Sequence, residues 1–403
     1  AVALIARGIF LGRPVTAAHA ILAGLAVLAG LGAHIIALDV PGNILIAASG
    51  LVLMWPTTAR AQPGQLSRVW ALVNATSGDP VAPFAMQYLK SHHFTADGAA
   101  AIAYRTRLGY AVVSGDPIGD ETRFADVVAD FVAMCHTRGW RIVVLGCSRR
   151  RLGLWSEPEV IGQSLHPVPI GRDVVIDVPA FAMVGRQFRN LRQAVKRTHN
   201  AGITTELLNE QELDDRQRTE LADVLLLSAK GAHAERGFSM ILDGTLTGRY
   251  PGVLLMIGRD PAGRVQGFHR YVVAGGGSDV TLDVPWRRRG APNGLDERLS
   301  VDMIETMKDA GAQRLSLAFA AFPEIFKDKE RGLLSSFFYE VIHLGDALIA
   351  LESLYRYLRK FHALADQRYV LLSFSQLFPV LLVLLSLEFM PRRRRLPAAT
   401  GWE

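Results

Sequence analysis

Cysteine is nearly absent from these 403 residues: there are two, Cys135 and Cys147, at no metal-ligand spacing. That excludes a disulfide framework and a thiolate metal centre, and fits two reduced thiols in a core. No Ser-His-Asp order is evident, and His166, His233 and His269 stand apart in the chain, which argues against a covalent acyl-enzyme and leaves no metal cluster to propose. No small-residue cleavage site followed by a secreted-looking domain is evident, so the apolar start does not read as a signal peptide. Acidic residues are in deficit, 38 against 44 Lys and Arg, giving a net charge of +6. The surplus is clustered and points to anionic partners: nucleic acid, acidic lipid headgroups or phosphorylated cofactors.

What is abundant is apolar. Half the residues are hydrophobic, high for a soluble protein. Residues 16–38 are rich in Ala, Leu and Gly, a turn follows at 39–43, and residues 44–55 are apolar again. This reads as a transmembrane helical hairpin in residues 1–60. The hairpin would return Arg60 and Arg68 to the side of Arg7 and Arg13, and the positive-inside rule makes that side cytoplasmic. Residues 374–390 form a second apolar stretch, interrupted by Pro379 and followed by Arg392 to Arg395; we read it as an interfacial helix with a basic tail, residues 374–403.

Between them the pattern alternates. Residues 60–79 read as a polar linker. Strands are expected at 100–103, 110–113 and 141–145, with an amphipathic helix at 124–138 before the last of them. A similar order returns after residue 213: a helix to about 227, strands near 253–257, 267–273 and 279–283, a helix, then a strand at 314–319. The fold class is therefore α/β (α+β) with mixed sheets, in two tandem units at 61–180 and 206–373. The connecting segment 181–205 is a helix in which Arg189, Arg192 and Lys196 form one basic stripe opposite Phe188, Leu191 and Val195.

One stretch concentrates chemistry. Residues 278–300 run from an alternating strand ending at Asp283, through Arg287, Arg288 and Arg289, into Gly-Ala-Pro-Asn-Gly and a helix start. Free N–H groups, a helix dipole and guanidinium groups at such a turn suit a phosphate or carboxylate beside one acidic side chain.

With these pieces assembled the chain resembles the phosphatidylglycerol lysyltransferases, the multiple peptide resistance factors, over residues 78–372. The marks are Gly115-Asp116-Pro117-Ile118-Gly119, Phe188-Arg189-Asn190-Leu191-Arg192, Glu235 with Phe238-Ser239, Leu282-Asp283 leading to Ala291-Pro292-Asn293-Gly294, and Lys360-Phe361 with Arg368-Tyr369. The departures are Val284-Pro285-Trp286-Arg287, where the family carries Leu-Met-Arg-Arg, and Ala365-Asp366-Gln367-Arg368-Tyr369, where it carries Trp-x-Pro-Arg-Tyr. The resemblance implies tandem acetyltransferase-like (GNAT) domains joined by a basic helix. It also implies transfer of an aminoacyl group from aminoacyl-tRNA to a lipid hydroxyl at the cytoplasmic face of a bacterial plasma membrane, by a multi-pass protein.

Such a transfer starts from an activated ester, so orientation and a proton acceptor suffice, with no further cofactor. Asp283 is a candidate for binding the donor's α-ammonium or assisting the proton transfer, its carboxylate expected beside the three arginines and ionised at neutral pH. Arg287 is a candidate for a lipid or tRNA phosphate. Glu235 and Glu297 suit a cationic amino-acid side chain or a helix cap. The family geometry adds Ser239, Asn293, Lys360 and Arg368 as substrate-binding residues, and Arg189, Arg192 and Lys196 as phosphate contacts. An acyl-CoA-dependent transferase acting on a lipid or glycolipid, and a non-catalytic module binding anionic lipid or RNA, stand as alternatives; a homo-oligomer is left open.

Overall fold

The computed structural model describes residues 17–228, 234–235, 237–321, 357–388 and 392–393. The apolar start folds into two helices, α1 (Ala17–Ile35) and α2 (Asp39–Met54), packed as a hairpin. They meet closely where Gly30 faces Gly42: a Cβ on Gly42 would lie 2.9 Å from the Gly30 carbonyl. At about 1.5 Å per residue the limbs reach roughly 28 and 24 Å, short of the ~30 Å hydrocarbon core. Among the described residues no helix is long and apolar enough to cross a membrane, so the structure does not support the expected transmembrane hairpin, whose residues 1–16 lie outside the described ones. The helices nevertheless expose Ile21, Leu25, Leu28, Ile35, Val40 and Ile44. The stretch read as a polar linker is also corrected, because it contains α3 (Leu66–Ala75), whose Val69, Leu72 and Val73 are buried.

The rest is built on one continuous sheet. Its strands are β1 (Ser91–Phe94), β2 (Ala100–Arg107), β3 (Tyr110–Ser114), β4 (Ile118–Gly119), β5 (Arg141–Ser148), β6 (His166–Asp177), β7 (Thr204–Asn209), β9 (Val253–Arg259), β10 (Val265–Ala274), β11 (Asp279–Arg287), β12 (Arg314–Ala321) and β13 (Leu364–Leu372). A separate two-residue strand, β8 (Ala234–Glu235), pairs with β14 (Arg392–Arg393). The order is β1-β2-β3-β5-β13-β6-β12-β11-β10-β9-β7, with β4 beside β2. Neighbours are antiparallel except β3–β5 and β11–β12. A helix joins each parallel pair, α4 (Phe124–Thr137) in the first and α7 (Leu295–Asp309) in the second. Antiparallel strands, a crossover helix and a parallel strand recur twice: this is the mixed, acetyltransferase-like order.

The two units share strands. β6, the last strand of the first unit, pairs with β12 of the second, and β13, the last strand of the second, pairs with β5 of the first. β6 and β13 then pair with each other at the centre of the sheet.

Both faces are covered, so the strands read as unbroken apolar runs. Ile142 and Val144 pack with α4, while Val143 and Leu145 face α8 (Leu377–Glu388). Val380, Val383 and Leu387 of α8 are buried there and Phe378 and Leu382 are exposed, so the expected interfacial helix packs one face on the domain. α3 bridges the units, its cluster joining Ala101 and Ala103 to Val253 and Val272. The basic helix is α5 (Arg189–Asn200), which packs on α7 through Phe188, Leu191 and Val195. α6 (Asp215–Leu226) covers the opposite face of β9 and β10. Cys135 and Cys147 are both free and buried, as expected, and burial pushes the Cys135 thiol up to about 12.

Candidate active site

β11 and β12 pair only from Asp279↔Arg314 to Thr281↔Ser316, although both strands run on. β3 and β5 pair over five residues by comparison. The parting of β11 from β12 opens a small cavity in the middle of the sheet, lined by Asp173, Met240, Thr281, Leu282, Ser316 and Phe319.

Behind Asp173 stands a buried charge cluster. Arg368 donates from Nη2 to Asp79 Oδ1 at 2.5 Å and from Nε to Asp173 Oδ2 at 2.7 Å; its Nη1 reaches the Gly146 carbonyl at 3.1 Å and Asp116 Oδ2 at 3.6 Å. Three carboxylates thus face one guanidinium, all of them buried. Asp79 Oδ2 has no hydrogen-bond partner among the described residues. Burial pushes Asp173 up to about 6 against the pull of Arg368, and burial followed by the nearby Asp79 raises Asp116. Arg368, expected as a substrate-binding residue, is therefore enclosed as the hub of this cluster, with its side chain 1% exposed.

Asp283 is also relocated. Period two puts it on the strand face that carries Thr281, and its fully buried carboxylate accepts from Arg270 Nη1 at 2.7 Å and from the Leu242 N–H at 2.9 Å. The expected company of three arginines is corrected, because β11 continues to Arg287 and the arginines leave its far end. Arg270 also donates to Glu210, which makes a second buried cluster with two carboxylates on one guanidinium. Burial pushes Asp283 up to about 6, with Arg270 pulling it down.

The glycine turn holds its own counter-charges. Arg287 is half-exposed and lies 3.5 Å from Asp296, and Arg288 donates from Nε to the Val265 carbonyl at 2.6 Å. Asn293 is exposed and precedes Gly294, whose φ of 100° and closeness to α5 (a Cβ would lie 2.6 Å from the Ala194 carbonyl) admit no side chain. Glu297, in the first turn of α7, pairs with Lys360. The carboxylates of this turn thus engage two of the cations expected to hold substrate.

His269, read as isolated, is the centre of a buried network. Its Nε2 lies 3.2 Å from Asp296 Oδ1, and its Nδ1 lies 3.2 Å from the Tyr271 hydroxyl and 3.4 Å from Ser300 Oγ, which in turn contacts Tyr357. Ser300 and His269 are both fully enclosed. His166 stacks on Phe374, and His233 lies outside the described residues.

Of the remaining candidates, Ser239 donates its N–H to Glu388 Oε1 at 2.9 Å. Glu235 lies in β8, and its side chain is outside the described ones. Arg189, Arg192 and Lys196 all face solvent on α5, Arg192 Nη1 also tying down the Met183 and Gly185 carbonyls at 2.7 and 2.8 Å. Sequence reasoning missed Asp79, Asp173, Glu210, Arg270 and Glu388. The usable signal was a lone guanidinium inside an apolar strand: Arg270 sits between Phe268 and Val272, whereas Asp173 follows Arg172 in a stretch that does not read as a strand.

Two mixed-sheet units, each with a helix crossover into a parallel strand and one with that strand pair splayed around a cavity, make up a tandem α/β fold. The family model for phosphatidylglycerol lysyltransferase, C-terminal, matches residues 70–372, and the chain belongs to that family; it is a transferase. It is 69% identical over 396 residues to the MprF-like domain protein Rv1619 of Mycobacterium tuberculosis, covering 98% of this chain and 82% of that protein. It is 29% identical over 287 residues to the lysylphosphatidylglycerol biosynthesis bifunctional protein LysX of Gordonia bronchialis, covering 69% of this chain but only 24% of LysX. Among solved structures it resembles L-PGS from Bacillus licheniformis, with a TM-score of 0.65, 18% identity and coverage of 81% of this chain and 96% of that one. The C-terminal domain of a putative lysylphosphatidylglycerol synthetase from Agrobacterium fabrum has a TM-score of 0.67 at 20% identity, covering 82% of this chain and all of that one.

Proposed function

We propose that this protein moves an aminoacyl group, lysyl being the first candidate, from aminoacyl-tRNA to a hydroxyl of an anionic membrane lipid such as phosphatidylglycerol. The observation that carries the reading is the cavity between β11 and β12, with Asp173 on its wall and a surplus of carboxylate behind it. A buried excess of negative charge suits a donor bearing an ammonium group and disfavours the diphosphate of an acyl-CoA. The lipid hydroxyl oxygen attacks the ester carbonyl, the bond to the tRNA ribose oxygen breaks, and the hydroxyl proton passes to that ribose oxygen. Asp173, through the oxygen not engaged by Arg368, holds the ammonium and thereby orients the ester. The names of the LysX and L-PGS relatives support the lipid as acceptor. The exposed apolar faces of α1, α2 and α8 support a membrane-surface location, and a tRNA donor would require the transfer site to be on the cytoplasmic side.

The test is purified protein with lysyl-tRNA and phosphatidylglycerol vesicles, read by mass spectrometry, alongside a donor whose α-amino group is replaced by hydroxyl. Wild type should form lysyl lipid and reject the hydroxy donor, and Asp173→Asn should lose that discrimination. Lipid product from acyl-CoA and none from aminoacyl-tRNA would overturn the reading.

A further inference from the structure

The C-terminal helix α8 lies beyond the residues matched by the family model, yet its last residue holds the segment that leads to the cavity wall. Glu388 accepts from three consecutive backbone amides: Gly237 N–H at its carbonyl (2.9 Å), Phe238 N–H at Oε2 (3.0 Å) and Ser239 N–H at Oε1 (2.9 Å). Residues 237–239 form no helix or strand, so this glutamate does for their amides what regular structure does elsewhere. A carboxylate taking two adjacent amides makes charge-assisted bonds, and deleting it leaves orphaned donors. Phe238 seals the junction from the other side, fully buried among Val380, Val383 and Leu387.

The segment so fixed runs directly into the two features described above. Met240 lines the cavity between β11 and β12. Leu242 gives its N–H to Asp283 and its carbonyl to Arg270. Between them Gln87 Nε2 donates to the Ile241 carbonyl at 2.7 Å and to that of Gly237 at 3.3 Å. One end of this short segment is therefore set by Asp283 and Arg270 and the other by α8, and the cavity wall hangs between.

We infer that Glu388 is a positioning residue of the transfer site: it sets residues 237–242, and through them the donor-side wall of the cavity at Met240. This rests on the cavity being the donor slot. The experiment compares wild type, Glu388→Ala and Glu388→Gln for KM and kcat with lysyl-tRNA and phosphatidylglycerol vesicles, and for amide hydrogen exchange. Glu388→Ala should raise KM for the donor about tenfold with kcat within about threefold. It should also speed exchange at Phe238, Ser239 and Leu242 by about tenfold or more, leaving β5 amides unchanged. Glu388→Gln, which retains a neutral acceptor, should fall between and decides the matter if the Ala variant does not fold. Faster exchange at Phe238 and Ser239 alone, with Leu242 and KM unmoved, overturns the inference and leaves Glu388 as a local clasp. A wild type that forms no aminoacyl lipid defeats the functional reading instead, and exchange at Leu242 then decides the inference.

Discussion

Asp283→Asn separates two accounts of the buried clusters. Arg270 needs one carboxylate to be neutralised and has two, Glu210 and Asp283, so the site carries one negative charge too many in full burial. Burial outweighs the pull of Arg270 and drives the Asp283 carboxyl from 3.8 up to about 6, with the neighbouring Glu210 adding to the rise. A difference of that size stands for about 3 kcal/mol favouring the protonated form in the folded protein. Because the folded value lies above the unfolded one, the stabilisation is fully present below the unfolded value and is lost as pH rises through about 6. Asparagine copies the protonated shape and removes the surplus charge. Its amide cannot accept from both Arg270 and Leu242, however, so one hydrogen bond is lost at about 1–3 kcal/mol. At pH 7.5 the two effects nearly cancel, and the variant should lie within about 1–2 kcal/mol of wild type. At pH 4, where wild type regains its proton, the variant should be worse by a further ~3 kcal/mol. Urea unfolding at both pH values measures this directly. A variant that loses about 4 kcal/mol equally at both would show that Asp283 is a fully compensated ion-pair partner, and the surplus-charge argument would fail.

The Arg368 cluster makes a harsher prediction. Arg368→Lys keeps the charge but cannot span Asp79, Asp173 and the Gly146 carbonyl, so it should lose about 3–5 kcal/mol in urea unfolding; a loss under 1 kcal/mol would refute the enclosed-hub reading. Replacing Arg189, Arg192 and Lys196 with Gln should flatten the salt dependence of tRNA or anionic-vesicle binding, at a stability cost of about 1 kcal/mol from the lost Arg192–carbonyl bonds. Unchanged binding of both would reduce the stripe to a solvated surface.

Much of the fold was legible wherever hydrophobic periodicity decided it. The strands around Tyr110, Arg141, Val253 and Asp279, the helix from Phe124 and the basic face of α5 all follow from spacing. β6 was not legible, because Pro167, Pro169, Gly171 and Arg172 break the pattern of a strand whose register is imposed by two distant partners. α3 looked polar because Gln62, Gln65, Ser67 and Arg68 precede a short buried face. In the site, sequence picked out Asp283, Glu297, Lys360 and Arg368 but placed Asp283 beside the wrong arginines and gave the other three no partners. Which guanidinium meets which carboxylate is set by tertiary contacts such as Arg368 with Asp79, far apart in the chain. The three adjacent arginines drew attention, and the solitary Arg270 holds Asp283.

The exchange of β6 and β13 bears on how the chain is made. On a ribosome the first unit emerges with β5 lacking its outer neighbour, and that neighbour, β13, is encoded more than two hundred residues later. Until residue 372 has left the exit tunnel, Val144 and Leu145 present an open sheet margin ready to pair with another nascent chain. Closure of so long a loop is slow relative to local hairpins. The amino-terminal half should therefore have no resting native state of its own, and a chain truncated before β13 should be captured by chaperones or aggregate rather than survive as an independent domain.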